Sequence, residues 1–358
     1  MRKLTKKVIT GVLLGAMTLS LAACGDSRNG SNAVAETTAG NNENETVEES
    51  KNNNESNGEL TKIAIGVDYG ALAYLQVIAK DKGFFADNGI EAELVNYAAG
   101  IDTLNGVVLN EVQIGAGYDY AACTRLAEKS NLRLVATIIR DSKDARWFAT
   151  TVEGLETAAD LKGKNIGLLQ GTLEEYLWAK ELESVGLTTD DVEISYFSSK
   201  AENITALATG GCDAAVGNKE YEKQLSAIEN MKTINDQGDI GQNSEAYIFA
   251  DESFLNDNPE VIEGYLKAIA EAAEFIETNE DEAAELSAAY LTLKKEDVIS
   301  SFAAYNYDIS FTQEDYDHIE SIAEWCGENG VVEPFEVKDY MNIDAIKNVF
   351  PDKVTYSE

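Results

Sequence analysis

The sequence predicts an α/β protein built as two sheet-centred lobes. Short alternating strands and helices with a 3.6-residue period follow one another twice, first from residue 62 and again from residue 165. Extended stretches near residues 147–152 and 243–250 separate the two series, and a mainly helical tail begins at Pro259. A chain of 358 residues holds two domains of ordinary size.

The first unit runs from Lys62 to Tyr97. Ile63, Ile65 and Val67 alternate as one face of a strand, and Ala71, Tyr74, Leu75, Ile78 and Ala79 recur at three and four as one face of a helix. Lys80, Lys82 and Gly83 give that helix its stop, and Ile90, Ala92 and Leu94 alternate with Glu91 and Glu93 in the next strand. The βαβ order requires a parallel sheet. It leaves Asp68, Tyr69 and Gly70 at a strand's carboxyl end, where open α/β sheets hold their ligands.

A short helix follows over residues 102–110, then a strand at 112–116 and a second polar-aromatic loop, Gly117-Tyr118-Asp119-Tyr120. Asp119 is a candidate cap for the helix at 121–129. Residues 132–139 read as a strand. In the second series, residues 165–169 are a strand and Gln170-Gly171-Thr172 opens a helix that Gly186 stops. Residues 192–197 are a strand, 201–209 a helix and 214–216 a strand ending at Gly217-Asn218-Lys219-Glu220, with an edge strand at 231–234. The tail predicts helices at 259–277, 280–291, 296–304 and 315–328, with Pro259 and Gly330 as start and stop residues.

Composition narrows the function classes. With 64 acids against 28 bases the formal net charge is −36, which repels nucleic acid and anionic lipid head groups. At the N-terminus, Arg2, Lys3, Lys6 and Lys7 precede an apolar run at residues 8–21 that is too short for a comfortable membrane span and fits a signal peptide. Residues 25–58 are rich in Asn, Glu, Ser and Gly and hold no aromatic residue, the composition of a flexible tether.

Catalytic and metal patterns are missing from the sequence. Cys123, Cys212 and Cys326 show no CxxC or Cys/His spacing and read as buried small hydrophobes, with one disulfide left open. The one histidine, His318, lies in a polar helix pattern and reads as a surface residue. Without a second histidine no Ser/His/Asp or Cys/His set can be assembled. Asp190-Asp191 are adjacent in a loop, unlike a positioned carboxylate pair. No GxxxxGK[ST] loop is present. Neither enzyme activity nor a cofactor is expected.

Leu21-Ala22-Ala23-Cys24-Gly25 resembles a bacterial lipobox, which implies cleavage before Cys24 and lipid on its sulfur. Four further motifs occur in order. Lys82-Gly83-Phe84-Phe85, with Gly89-Ile90 and Glu93-Leu94-Val95 behind it, is similar to the opening of extracytoplasmic solute-binding proteins for sulfonates, nitrate, taurine and thiamine-pyrimidine precursors. Asn110-Glu111-Val112-Gln113-Ile114-Gly115 resembles that family's G-E-x-D-I-G step, with Asn and Gln in place of Gly and Asp. Asp160-Leu161-Lys162-Gly163-Lys164-Asn165-Ile166-Gly167 matches DLKGKKIG almost throughout, and Gly210-Gly211-Cys212-Asp213-Ala214 resembles the later G-x-x-D-A.

The resemblance implies a two-lobed type II periplasmic-binding-protein fold with a ligand cleft between the lobes. It divides the chain into a signal peptide (1–23), the lipidated Cys24 with its tether (24–58), lobe 1 (60–147 plus 246–358) and lobe 2 (148–245). It implies a monomeric, lipid-anchored, extracytoplasmic receptor that hands a small solute to ABC permease subunits. An enzyme of the thiamine-pyrimidine type and a tethered sensor are the alternatives; the histidine and cysteine-rich signatures of the former are absent here. Asp68, Tyr69, Gly70, Tyr118, Asp119, Gly171 and Thr172 are then expected at the cleft, with Asn218 as a weaker candidate. Tyr69, Tyr74, Tyr118 and Tyr120 can stack on a flat ring or enclose a cation, and Arg140 and Arg146 are the basic candidates for an anion. Glu174 and Glu175 can instead occupy the positive end of the helix that Thr172 opens. The acidic, aromatic loops favour an aromatic, amine-bearing or zwitterionic ligand over nitrate or a simple sulfonate.

Overall fold

A computed structural model describes residues 60–357 apart from Lys129 and Asp144. The expected signal peptide, Cys24 and tether lie outside the described residues. No helix among the described residues is long and apolar enough to cross a membrane.

The first series comprises β1 (Thr61–Val67), α1 (Tyr74–Asp81), α2 (Phe84–Asp87), β2 (Ile90–Asn96), α3 (Gly100–Val108), β3 (Ile114–Tyr118), α4 (Asp119–Leu126) and β4 (Leu132–Asp141). The second comprises β5 (Arg146–Thr150), β6 (Asn165–Leu169), α5 (Leu173–Ser184), β7 (Glu193–Phe197), α6 (Lys200–Thr209), β8 (Ala214–Asn218), α7 (Glu222–Ser226) and β9 (Lys232–Asp236). The chain returns through β10 (Glu245–Asp251) and α8 (Glu252–Asp257) to α9 (Pro259–Thr278), α10 (Glu280–Leu291), α11 (Lys295–Ala304), β11 (Tyr305–Asn306), α12 (Gln313–Glu328) and α13 (Asp344–Val349).

These strands form two sheets, ordered β11-β4-β10-β3-β1-β2 and β7-β6-β8-β5-β9. Each has a parallel core, β2-β1-β3 in the first and β7-β6-β8 in the second. The strand that enters from the other sheet then lies antiparallel beside that core, β10 next to β3 and β5 next to β8. The chain therefore passes between the sheets twice, just before Arg146 and just before Glu245.

The two sheets share a local device that the sequence motifs encode. Asn110 takes φ +58°, and Gln113 three residues on accepts the Ala64 N–H at 2.8 Å. In the second sheet Gly210 takes φ +77°, and Asp213 accepts the Asn165 N–H at 2.9 Å. Asparagine is among the few L-residues that tolerate this left-handed backbone. Its amide-bearing neighbour Gln113 replaces an aspartate without losing the bond to the adjacent strand.

Burial follows the sequence periodicity. Ile63, Ile65 and Val67 of β1 and Leu75, Ile78 and Ala79 of α1 are all buried. Phe148 and Trp178 pack together in the second half at a ring separation of 4.8 Å. Cys123, Cys212 and Cys326 are buried and free. Two local expectations change. Asp119 is the first residue of α4 and not its cap, its carboxylate accepting the next N–H, from Tyr120, at 2.7 Å. His318 is not a surface residue; only 17 % of its side chain is exposed.

Candidate functional site

The carboxyl ends of β1, β3, β6 and β8, together with the start of β5, surround a cavity of about 230 Å³. Asp68, Tyr69, Gly70, Leu72, Ile101 and Tyr118 line it from the first sheet's side. Arg146, Gly171, Thr172, Glu174, Lys200 and Asn218 line it from the second. The walls come close at one point: a Cβ built on Gly171 would lie 3.8 Å from the Ile101 side chain. A larger surface hollow of about 770 Å³ is lined only by residues between Gln313 and Ser357, on elements belonging to the first-sheet half. The cavity between the sheets is the stronger candidate, because strand-end loops of both sheets converge on it.

Each strand-end loop is built locally. The Asp68 carboxylate accepts the Gly70 N–H at 3.0 Å, which curls the chain after β1 and leaves Tyr69 54 % exposed at the mouth. Gly171 takes φ +72°, a conformation glycine adopts without a Cβ penalty. Thr172 then caps α5, its hydroxyl accepting from Glu174 N at 3.3 Å and donating to the Leu169 carbonyl at 2.8 Å. The glutamates of α5 occupy the amides of this turn. Glu174 accepts from Leu169 N and Glu175 from Gly171 N, both at 3.0 Å.

Two basic side chains face the cavity, and both are already paired. Lys200 forms an ion pair with Glu174, each side chain 10 % exposed, and donates to the Val216 carbonyl at 3.0 Å. Arg146, 11 % exposed, forms an ion pair with the fully buried Asp141 and lies over the Tyr118 ring, 4.5 Å from its centroid. Tyr118 in turn donates to Asp141 at 3.2 Å.

Eight of the twelve sequence candidates line the cavity: Asp68, Tyr69, Gly70, Tyr118, Arg146, Gly171, Thr172 and Asn218. Four do not. Tyr74 is fully buried in the core, edge-on to Phe302 at 5.4 Å, because α1 turns that face inward. Tyr120 is not part of the lining and donates to Glu175 of the other half at 2.6 Å, so it ties the two halves together. Asp119 is fully buried and accepts from Tyr120 N, from Glu245 N at 3.1 Å and from the His318 ring at 2.8 Å. Arg140 faces the opposite side of β4 from Asp141 and binds Asp315, the Ser310 hydroxyl and the Asp308 carbonyl.

The cluster around Asp119 is electrostatically tight. Burial pushes Glu245 up to about 7, against the pull of His318 and Arg140. Burial alone lowers His318, but its hydrogen bond and charge attraction to Asp119 outweigh that and hold it above its ordinary value.

Sequence reasoning missed Lys200 as a cavity residue and read Glu174 only as a helix-end acid. Their pairing spans 26 residues, so no local pattern carries it. A basic residue opening the helix after a second-sheet strand was the only available signal.

Solved structures place this architecture in a class: it has the two-sheet fold of periplasmic solute-binding proteins. The aliphatic sulphonate-binding protein SsuA of Escherichia coli superposes with a TM-score of 0.70 at 20 % identity, over 78 % of this chain and 91 % of that one. The alkanesulfonate-binding SsuA of Xanthomonas axonopodis pv. citri, bound to MOPS, gives 0.69 at 16 % identity, over 80 % and 99 %. A Haemophilus influenzae protein named for thiamine biosynthesis is 24 % identical over 218 residues, 60 % of this chain and 68 % of that protein. The NMT1/THI5-like family model matches residues 74–283, and the chain belongs to that family.

Proposed function

We propose that the protein is a lipid-anchored receptor of an ABC importer, which captures a small organic solute in the cavity between its sheets and delivers it to the permease. In this reading lobe 1 is residues 60–145 plus 245–358 and lobe 2 residues 146–244, one or two residues from the expected 60–147 plus 246–358 and 148–245 because β5 begins at Arg146 and β10 at Glu245, and lipid on Cys24 holds the protein outside the cell membrane as a monomer. The observation that carries it is the cavity lined from both sheets by strand-end loops. Its volume fits the scale: a cavity of about 150 Å³ accepts benzene, so about 230 Å³ takes a single substituted ring or a short-chain solute. The sulfonate-binding proteins that share the fold support a receptor. The solute classes to be tested are sulfonates, nitrate, taurine, and pyrimidines or amines.

An enzymatic reading is favoured by the name of the Haemophilus relative. The single histidine is committed to Asp119, a residue outside the cavity lining. Assaying turnover of any solute that binds separates the two readings.

A thermal-shift screen against these four solute classes tests the receptor. A solute at a hundred times its dissociation constant adds about 2.7 kcal/mol to stability, an easily read rise in Tm. If none of them shifts the transition, the receptor reading fails.

A further inference from the structure

We propose that Glu174 and Asp141 set the specificity of the cavity by neutralising its two basic side chains, so that it selects an uncharged or cationic ring solute and rejects sulfonate-type anions. This rests on the cavity being the solute site.

The places where an anionic head group would bind are filled by the protein's own carboxylates. Lys200 is held by Glu174, and Arg146 by the buried Asp141. Backbone amides at the start of a helix ordinarily favour an anion. Here Thr172 takes the Glu174 amide of that first turn, and Glu174 and Glu175 take the amides of Leu169 and Gly171 on the approach to it. An incoming sulfonate would have to strip Lys200 from Glu174 inside a site where both side chains are 10 % exposed. That would leave a carboxylate buried and unpaired, a strongly unfavourable exchange.

The charge balance points the same way. Asp68, Glu174, Arg146 and Lys200 line the cavity with no net charge, and Asp141 behind Arg146 adds a further negative one. The chain as a whole carries −36, so its field repels anions at long range as well. The rest of the lining is mainly aromatic and apolar, with the exposed Tyr69 beside Leu72, Ile101 and Leu169. Such a lining takes a flat ring.

Titration calorimetry on the full chain with methanesulfonate, nicotinamide and benzylamine tests the assignment. Wild type is expected to take a ring probe and to leave methanesulfonate unbound. Glu174→Gln releases Lys200 and is expected to raise methanesulfonate affinity by about tenfold or more, the scale of one charged hydrogen bond, with binding weakened by salt. Asp141→Asn releases Arg146 and gives the same readout should Glu174→Gln fold poorly. Methanesulfonate binding to wild type as tight as that of the ring probes overturns the assignment, as does an unchanged affinity in both variants. Either result leaves the cavity as a solute site. A protein that binds no solute in the thermal-shift screen loses that reading as well.

Discussion

Tyr118 and Arg146 stack where the chain first leaves the first sheet, with the guanidinium carbon 4.5 Å from the ring centroid, and both also meet Asp141. The contact joins the last residue of β3 to the first of β5, and both residues line the cavity. Arg146→Met removes the charged partner of a carboxylate with no solvent exposure and leaves it the Tyr118 hydroxyl. Breaking one side of a buried ion pair costs about 3–5 kcal/mol, and urea unfolding is expected to show a loss of that size. A loss under about 1 kcal/mol would mean that Asp141 finds another partner.

Asp119 belongs to the scaffold of the first-sheet half. Asp119→Ala leaves the Tyr120 and Glu245 amides and the His318 ring without their acceptor, all in a buried setting. At about 1–3 kcal/mol for each orphaned group, the expected loss is about 3 kcal/mol or more by urea unfolding. Any effect on solute affinity should be small beside it. A variant of full stability with lost binding would return Asp119 to the cavity.

Stability should depend on pH through two buried acids. Burial raises Glu181 and Glu245 from 4.5 to about 7. Both hold a proton more tightly in the folded chain than in the unfolded one. Folding thus takes up protons between about pH 4.5 and 7, and the stability these groups give at low pH is lost as pH rises through 7. His318 has the same sign: its contribution is present at low pH and lost as pH rises through its elevated folded value. Glu181, bonded by Asn235 at 3.3 Å, isolates the effect. The stability difference between wild type and Glu181→Gln, measured from pH 5 to pH 8, should change by about 2–3 kcal/mol against wild type as pH rises. A difference independent of pH contradicts the raised acid.

Much of this fold was legible because local pattern and long-range packing agree. The alternation in β1, the three-four spacing in α1 and the proline start of α9 each describe one element, and each element forms within a residue or two of its expected place. The strand-end loops were legible for the same reason, since βα order fixes which end of a strand carries them. Side-chain direction was not. Asp119 and His318 are 199 residues apart, and nothing in either local sequence announces the bond that buries them. Tyr118 and Tyr120 differ in sequence by two positions and face the cavity and the Glu175 contact respectively, because α4 begins between them. Lys200 became a cavity residue only through the packing of α6 against β6 and β8.

The central claim is that a solute sits between the two sheets, and Tyr69 tests it most directly. Its side chain stands half exposed at the cavity mouth, so its removal should cost the fold little. Titration calorimetry of the best solute from the screen, against wild type and Tyr69→Ala, should show affinity weakened about tenfold, as expected for one lost ring contact, with Tm unchanged. Equal affinity in the two proteins would contradict the account and place the solute elsewhere.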